Sequence, residues 1–179
     1  MKMSCIRVNA GLIGAVFSFL PAVTLWAGLN YYVSTNGDDI NDGLSITSSW
    51  RMIYIAATKT SSGDVINIDA GEYIEPVINI TNPITLNGSN LYVAANQPFT
   101  RHISRTVIKP LFTNDPVNPA VIWVKTNGVT IQNLTMEGDV DTNGAPDISY
   151  AVYSTNKPLN VNHCIIGNIS GFGIASDRP

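Results

Sequence analysis

The strongest constraint on this chain is a strand-like pattern that recurs along it. Val129, Ile131, Leu134 and Met136 are the apolar positions of one segment, and Leu159, Val161, Cys164 and Ile166 reproduce their spacing 30 positions later (159 − 129 = 30). Ala151-Val152-Tyr153-Ser154 and Gly173-Ile174-Ala175-Ser176 match at a shift of 22 (174 − 152 = 22). The same shift sets Val107-Ile108 before Val129-Thr130-Ile131 (129 − 107 = 22), and Ile84-Thr85-Leu86-Asn87-Gly88 opens another such unit. Short apolar–polar alternations bounded by Gly, Asn, Asp and Pro read as strands and turns. A unit this small cannot bury its apolar face until a neighbour stacks on it, which defines a solenoid. The Leu spacing and helical half of a leucine-rich repeat are absent. The expected fold is all-β: a right-handed parallel β-helix of about five coils, with Ile, Val and Leu ladders inside and Asn side chains bonded between coils at the turns.

One segment breaks the strand pattern. Ser48-Ser49 precede Trp50, Ile53, Tyr54 and Ala57, whose i, i+3, i+4, i+7 spacing predicts a short helix with a Ser N-cap, ending near Ser61-Ser62-Gly63. So short a helix survives by packing on its own domain, so it is expected as a lid on one end of the β core. Residues 89–105, 110–119 and 137–149 are rich in Pro, Asn and Asp and are expected to project as loops, where solenoids carry binding surfaces. The organisation that follows is a leader over 1–27, a strand, loop and capping helix over 28–63, and coils over 64–179. Ser170-Gly171-Phe172 begins a coil close to the final residue, so the chain reads as the front part of a longer protein. Its uncapped C-terminal coil is expected to support self-association.

The leader reading rests on Lys2 and Arg7 ahead of an apolar run from Ala10 to Trp26, interrupted by Pro21 and ending at Ala27. That is signal-peptide grammar, and the run is too short for a spanning helix, so no stable membrane insertion is expected after cleavage. The mature protein would be secreted, periplasmic or held at the cell surface. Cys5 leaves with the leader and Cys164 is then alone, which removes any internal disulfide; its apolar surroundings suggest a buried small hydrophobe. Charged residues make up only 13% of the chain and the net charge is −3, with Lys and Arg scattered singly. No basic stripe is present to neutralise a phosphate backbone, which argues against nucleic acid as a partner.

The N-terminal wording resembles a known family. Tyr31-Tyr32-Val33-Ser34-Thr35-Asn36-Gly37-Asp38-Asp39-Ile40-Asn41-Asp42-Gly43, then Ser49-Trp50-Arg51-Met52-Ile53, then Gly63-Asp64-Val65-Ile66-Asn67-Ile68-Asp69-Ala70-Gly71-Glu72-Tyr73-Ile74-Glu75, is similar to the opening of secreted bacterial right-handed β-helix proteins of the pectate-lyase-like superfamily. The match runs in order from Tyr31 to about Gly88, with Ser49 where the family has Pro. The resemblance implies an exported protein that faces polysaccharide. The superfamily includes lyases, glycosidases, epimerases and adhesins, so the fold does not choose an activity. Two readings follow: a polysaccharide-binding or polysaccharide-processing scaffold, and a non-enzymatic surface or adhesin-type module.

No catalytic constellation is evident. A lyase needs a Lys or Arg base near clustered Asp, whereas Lys109, Lys125 and Lys157 each sit beside a Pro or a turn and read as solvated turn residues. His102 and His163 lack a third ligand at zinc spacing, and His163 reads as part of an Asn-rich turn ladder. The sharpest motif is Asp139-Val140-Asp141-Thr142-Asn143-Gly144, the start of a Ca²⁺ loop of EF-hand type, with Asp147 at the ninth position but Tyr150 in place of the closing Glu. Asp139, Asp141, Asn143 and Asp147 are thus candidate Ca²⁺ ligands, the alternative being an Asx-rich turn bonding its own backbone. The cluster Gly37-Asp38-Asp39-Ile40-Asn41-Asp42-Gly43 fits no coordination template and reads as a structural turn.

Overall fold

The computed structural model describes residues 28–90, 105–111, 120–138 and 148–176. The leader over 1–27 and the candidate Ca²⁺ ligands Asp139, Asp141, Asn143 and Asp147 lie outside them. The first strand, β1 (Asn30–Val33), leads through a loop to the helix α1 (Ile53–Lys59). Strands then follow in groups of three: β2 (Val65–Ile68), β3 (Gly71–Glu75) and β4 (Ile78–Ile80); β5 (Thr85–Asn87), β6 (Thr106–Pro110) and β7 (Ala120–Val124). Two further groups are β8 (Val129–Gln132), β9 (Thr135–Glu137) and β10 (Tyr150–Ser154), and β11 (Leu159–Asn162), β12 (Ile165–Gly167) and β13 (Phe172–Ser176). Every pairing is parallel and, apart from that of β1 with β2, joins a strand to the one three further on, giving three sheets in the orders β1-β2-β5-β8-β11, β3-β6-β9-β12 and β4-β7-β10-β13. Each group of three is one coil, so the described residues form four coils with β1 as a leading rung, against about five expected.

Register explains why these segments become strands. In the first sheet Ile66, Leu86, Ile131 and Val161 lie in one column. The second sheet stacks Tyr73, Ile108, Met136 and Ile166, and the third stacks Ile78, Ile122, Val152 and Ile174. Between them these columns fill the interior, and in the first three coils nearly all of their members are fully buried. A strand turns alternate side chains to opposite faces, so one alternation suffices to supply a ladder rung per coil. The shifts of 30 and 22 are confirmed as pairings of Val129 with Leu159 and of Val152 with Ile174. Aligning Val107-Ile108 with Val129-Thr130-Ile131 is corrected: β6 belongs to the second sheet and sets Ile108 against Met136. Alternation reports which face a side chain takes and carries no mark of which sheet a strand joins.

The helix forms where expected but begins differently. Trp50 bridges to Val33 in extended backbone, and the residue ahead of the helix, Met52, offers no side-chain cap. Ser45 caps a short 3-10 turn instead of Ser48 or Ser49 capping the helix. Carboxylates distant in sequence replace that cap. Glu75 accepts the amide protons of Ile53 and Tyr54 at 2.8 and 3.1 Å, and Asp39 accepts those of Arg51 and Met52 at 2.9 and 3.0 Å. The bonds from Glu75 satisfy amides of the first turn that a helix start leaves orphaned, and those from Asp39 fix the backbone that leads into it. The helix turns Ile53, Ala56 and Ala57 inward against the first coil and covers that end of the core.

The acidic loop before it is a structural turn, as read from sequence. Asp38 accepts the Ile40 amide and Asp42 accepts the Leu44 amide and the Ser48 hydroxyl. Gly43, at φ 72°, lies under the Trp50 ring, where a Cβ would come within 2.7 Å of ring carbons. The Trp50 indole donates to the Asn41 carbonyl at 2.7 Å, stacks on Tyr31 and has the Lys59 ammonium 5.1 Å from its ring centroid. Most of the residues that carry the family resemblance therefore build the cap. Among the described residues no helix is long and apolar enough to cross a membrane.

Candidate functional site

The outer face of the third sheet concentrates chemistry that the core does not need. Ile122 and Val124 on β7, and Val152 and Ser154 on β10, point inward and are buried. The residues between them, Trp123 and Tyr153, therefore face outward, and register sets Asn79, Trp123, Tyr153 and Ala175 in a single column. Trp123 and Tyr153 meet edge to face with centroids 5.4 Å apart, and Tyr150 lies 5.1 Å from Tyr153. The Lys125 ammonium sits 4.8 Å above the Trp123 ring, a distance at which the ring quadrupole attracts a cation. Trp123 Nε1 and Asn79 Oδ1 are two of the three side-chain atoms among the described residues that are buried without a hydrogen-bond partner, the third being Arg105 Nε. Native proteins rarely leave such atoms unpaired, so these two neighbouring groups on one column stand out from the fully satisfied core around them.

Two of the long insertions enter this face by connectivity. Residues 111–119 lead directly into β7 and residues 138–149 directly into β10, the strands that carry Trp123 and Tyr153. The candidate Ca²⁺ segment therefore immediately precedes Tyr150 along the chain.

The other residues singled out from sequence are dispersed. Lys109 is not a turn residue: it lies inside β6 and forms an ion pair with Glu72 at 2.8 Å across two coils of the second sheet. Lys125 follows β7 and is exposed, in keeping with the turn reading, and Lys157 lies in the turn closed by the Ser154 hydroxyl. His163 does continue a ladder of turns, since Asn133 and His163 occupy equivalent steps after β8 and β11, with φ of 57° and 51°. Cys164 follows as Leu134 follows Asn133; its thiol is half-buried, lies near the Ile131 carbonyl, and is pushed up in pKa by burial. Among the described residues no group of three His, Cys, Asp or Glu is placed to hold a metal.

Sequence reasoning passed over Trp123 and Tyr153, although a signal existed: they are separated by the same 30 positions that pair β8 with β11 (153 − 123 = 30). It also passed over Glu75, Asp39 and Asp64. Asp64, almost fully buried, accepts the Leu29 and Ser61 amides at 2.8 and 2.7 Å and ties β1 to the helix exit. Comparison with protein-family models, curated proteins and solved structures returned no match.

Proposed function

We propose that this chain is an exported right-handed parallel β-helix of pectate-lyase-like type, and that the outer face of its third sheet binds polysaccharide. The carrying observation is the aromatic column of Trp123 and Tyr153, with Tyr150 beside it and Lys125 above. A pyranose ring has C–H faces that stack on aromatic planes, and the outward Trp123 and Tyr153 rings offer such planes. Lys125 favours an acidic glycan, whose carboxylates it would meet in solvent. The right hand follows from the general rule for strands joined in parallel through a crossover. Residues 1–27 supply the export signal, and secretion, the periplasm or the cell surface is the compartment that follows. A Ca²⁺ ion held by Asp139, Asp141, Asn143 and Asp147, the ligands the sequence motif offers, would add positive charge for an acidic glycan. The role proposed is binding; no residue of this chain is assigned catalysis.

Tryptophan fluorescence and affinity electrophoresis with polygalacturonate and with neutral galactan, each with and without Ca²⁺, test this reading. Polygalacturonate is expected to quench Trp123. Tyr153→Ala and Trp123→Ala are each expected to weaken binding about tenfold, the size of one lost stacking contact. Lys125→Ala should weaken it mainly at low salt, since exposed charges are screened over roughly 10 Å at 0.1 M. Asp139→Ala should abolish any Ca²⁺ dependence. Equal binding by wild type and both aromatic variants would overturn the proposal and leave the non-enzymatic surface module as the reading of the scaffold.

A further inference from the structure

The first sheet carries a different outward surface, made almost entirely of neutral polar groups. Tyr32, Asn67, Asn87, Gln132 and Asn162 form one register column. Their amides are linked in series: Asn67 Nδ2 donates to Asn30 Oδ1 at 3.2 Å, Asn87 Nδ2 to Asn67 Oδ1 at 3.0 Å, and Gln132 Nε2 to Asn87 Oδ1 at 3.1 Å. Asn133 adds a second donor to Asn87 Oδ1 at 3.0 Å. An amide has two N–H donors and an oxygen with two acceptor sites. The ladder consumes one N–H of Asn67 and one of Asn87, leaving each a second, and it leaves one acceptor site on Asn67 Oδ1. These remaining groups are held in fixed orientation by their neighbours. Where the column meets β1 and the acidic loop, a cavity of about 210 Å³ opens, bounded by Tyr32, Ser34, Ile46, Asn67, Asp69 and Asn87. Ile46 is 70% exposed there, an apolar side chain set beside the polar groups of the ladder.

We infer that this cavity is a second carbohydrate site, taking one neutral pyranose unit. The Tyr32 ring and Ile46 offer apolar contact for a sugar face, while the spare N–H groups of Asn67 and Asn87 and the Asp69 carboxylate meet hydroxyls that both donate and accept. Amides locked by a ladder lose little side-chain freedom when the ligand binds, and that freedom is a principal cost of polar recognition. With no Lys or Arg on its lining and one carboxylate, the cavity disfavours a uronate, so its ligand class differs from that of the third sheet. The inference shares with the proposed function only the broad class of ligand. It uses another sheet and separate residues, so either can fail alone.

The side-chain amide resonances of ¹⁵N-labelled protein provide the test, in titrations with methyl β-glucoside, methyl β-galactoside, methyl β-xyloside and galacturonate. At least one neutral glycoside is expected to shift the Asn67 and Asn87 NH₂ signals in a saturable way, and galacturonate is expected to leave them in place. Ser34→Trp, which fills the cavity from a half-buried position, should weaken that binding at least about tenfold while the rest of the amide spectrum keeps its dispersion. Tyr32→Ala should do the same by removing the apolar floor, and Trp123→Ala should leave the shifts unchanged. Absence of saturable shifts with all three neutral glycosides overturns the inference, as does equal binding by Ser34→Trp. Trp123 quenching without Asn67 and Asn87 shifts sinks this site alone; the converse sinks only the third-sheet proposal.

Discussion

Glu75 stands where the first coil meets the helix, and its surroundings set its charge. It is almost completely buried, and desolvation pushes its carboxyl up from an ordinary 4.5 to about 7, against the opposing pull of the Ile53 and Tyr54 amides it accepts. The Asp39 carboxylate on the neighbouring loop raises it further. Below about pH 4.5 folded and unfolded chains both hold the proton. Between about 4.5 and 7 the unfolded chain releases it and the folded chain retains it, so stability falls as pH rises and levels off above about 7. The expected loss across this window is on the order of 1–3 kcal/mol. Thermal melts should therefore give a higher midpoint at pH 5 than at pH 8, with Glu75→Gln flattening that difference. A wild-type midpoint that rises from pH 5 to 8 in step with Glu75→Gln would refute the assignment. None of this was readable along the chain, because Glu75 lies 21 and 22 positions from the amides it caps, and capping motifs are recognised only between near neighbours.

Among the elements, strands were readable where coils are short, and sheet membership was lost where they are long. Val152 to Ile174 spans a coil with modest turns, and Val129 to Leu159 spans one whose insertion lies beyond β9, so in both the spacing of neighbouring strands survives as a repeat. The insertion over residues 88–105 separates β5 from β6, and β5 pairs with β8 across 45 positions (130 − 85 = 45), so local similarity misaligned Val107. Trp123 and Tyr153 could be recognised as outward strand residues only once their strands were assigned to one sheet. The turns between the first and second sheets carry a clearer mark. Asn133 takes a left-handed conformation at φ 57° and its side chain joins the amide ladder through Asn87. Left-handed backbone costs most residues roughly 1–2 kcal/mol, and a hydrogen bond contributes about 1 kcal/mol. Asn133→Ala should thus destabilise by about 2 kcal/mol in urea unfolding, and Asn133→Gly, which relieves the backbone alone, by about half as much. Equal losses in the two variants would mean that the left-handed turn contributes nothing.

The molecule as a whole is a stack whose two described ends differ. At one end α1 and β1 cover the first coil, and Ile53, Ala56 and Ala57 close its interior. At the other, the fourth coil repeats the inner ladder with its last rung open: Ile174 is 48% exposed where its register partner Val152 is fully buried, and Phe172 is 71% exposed. Leu159 and Val161 border a cavity of about 390 Å³ with Ile174 at this same end. Unpaired strand edges flanked by apolar side chains invite further strands. A second copy cannot stack there through its first coil, because α1 occupies that end. Its own fourth coil carries the same open rung, and a contact between the two is isologous and closes as a twofold dimer instead of growing into a fibre. Produced as these 179 residues alone, the polypeptide is expected to sediment as a dimer at micromolar concentration, and Ile174→Lys with Phe172→Asp to return it to monomer without changing its far-ultraviolet circular dichroism. A wild-type monomer at those concentrations would show that the open rung does not drive assembly. Open-ended polymers would show that α1 fails to guard the first coil, since head-to-tail stacking requires that end to be free.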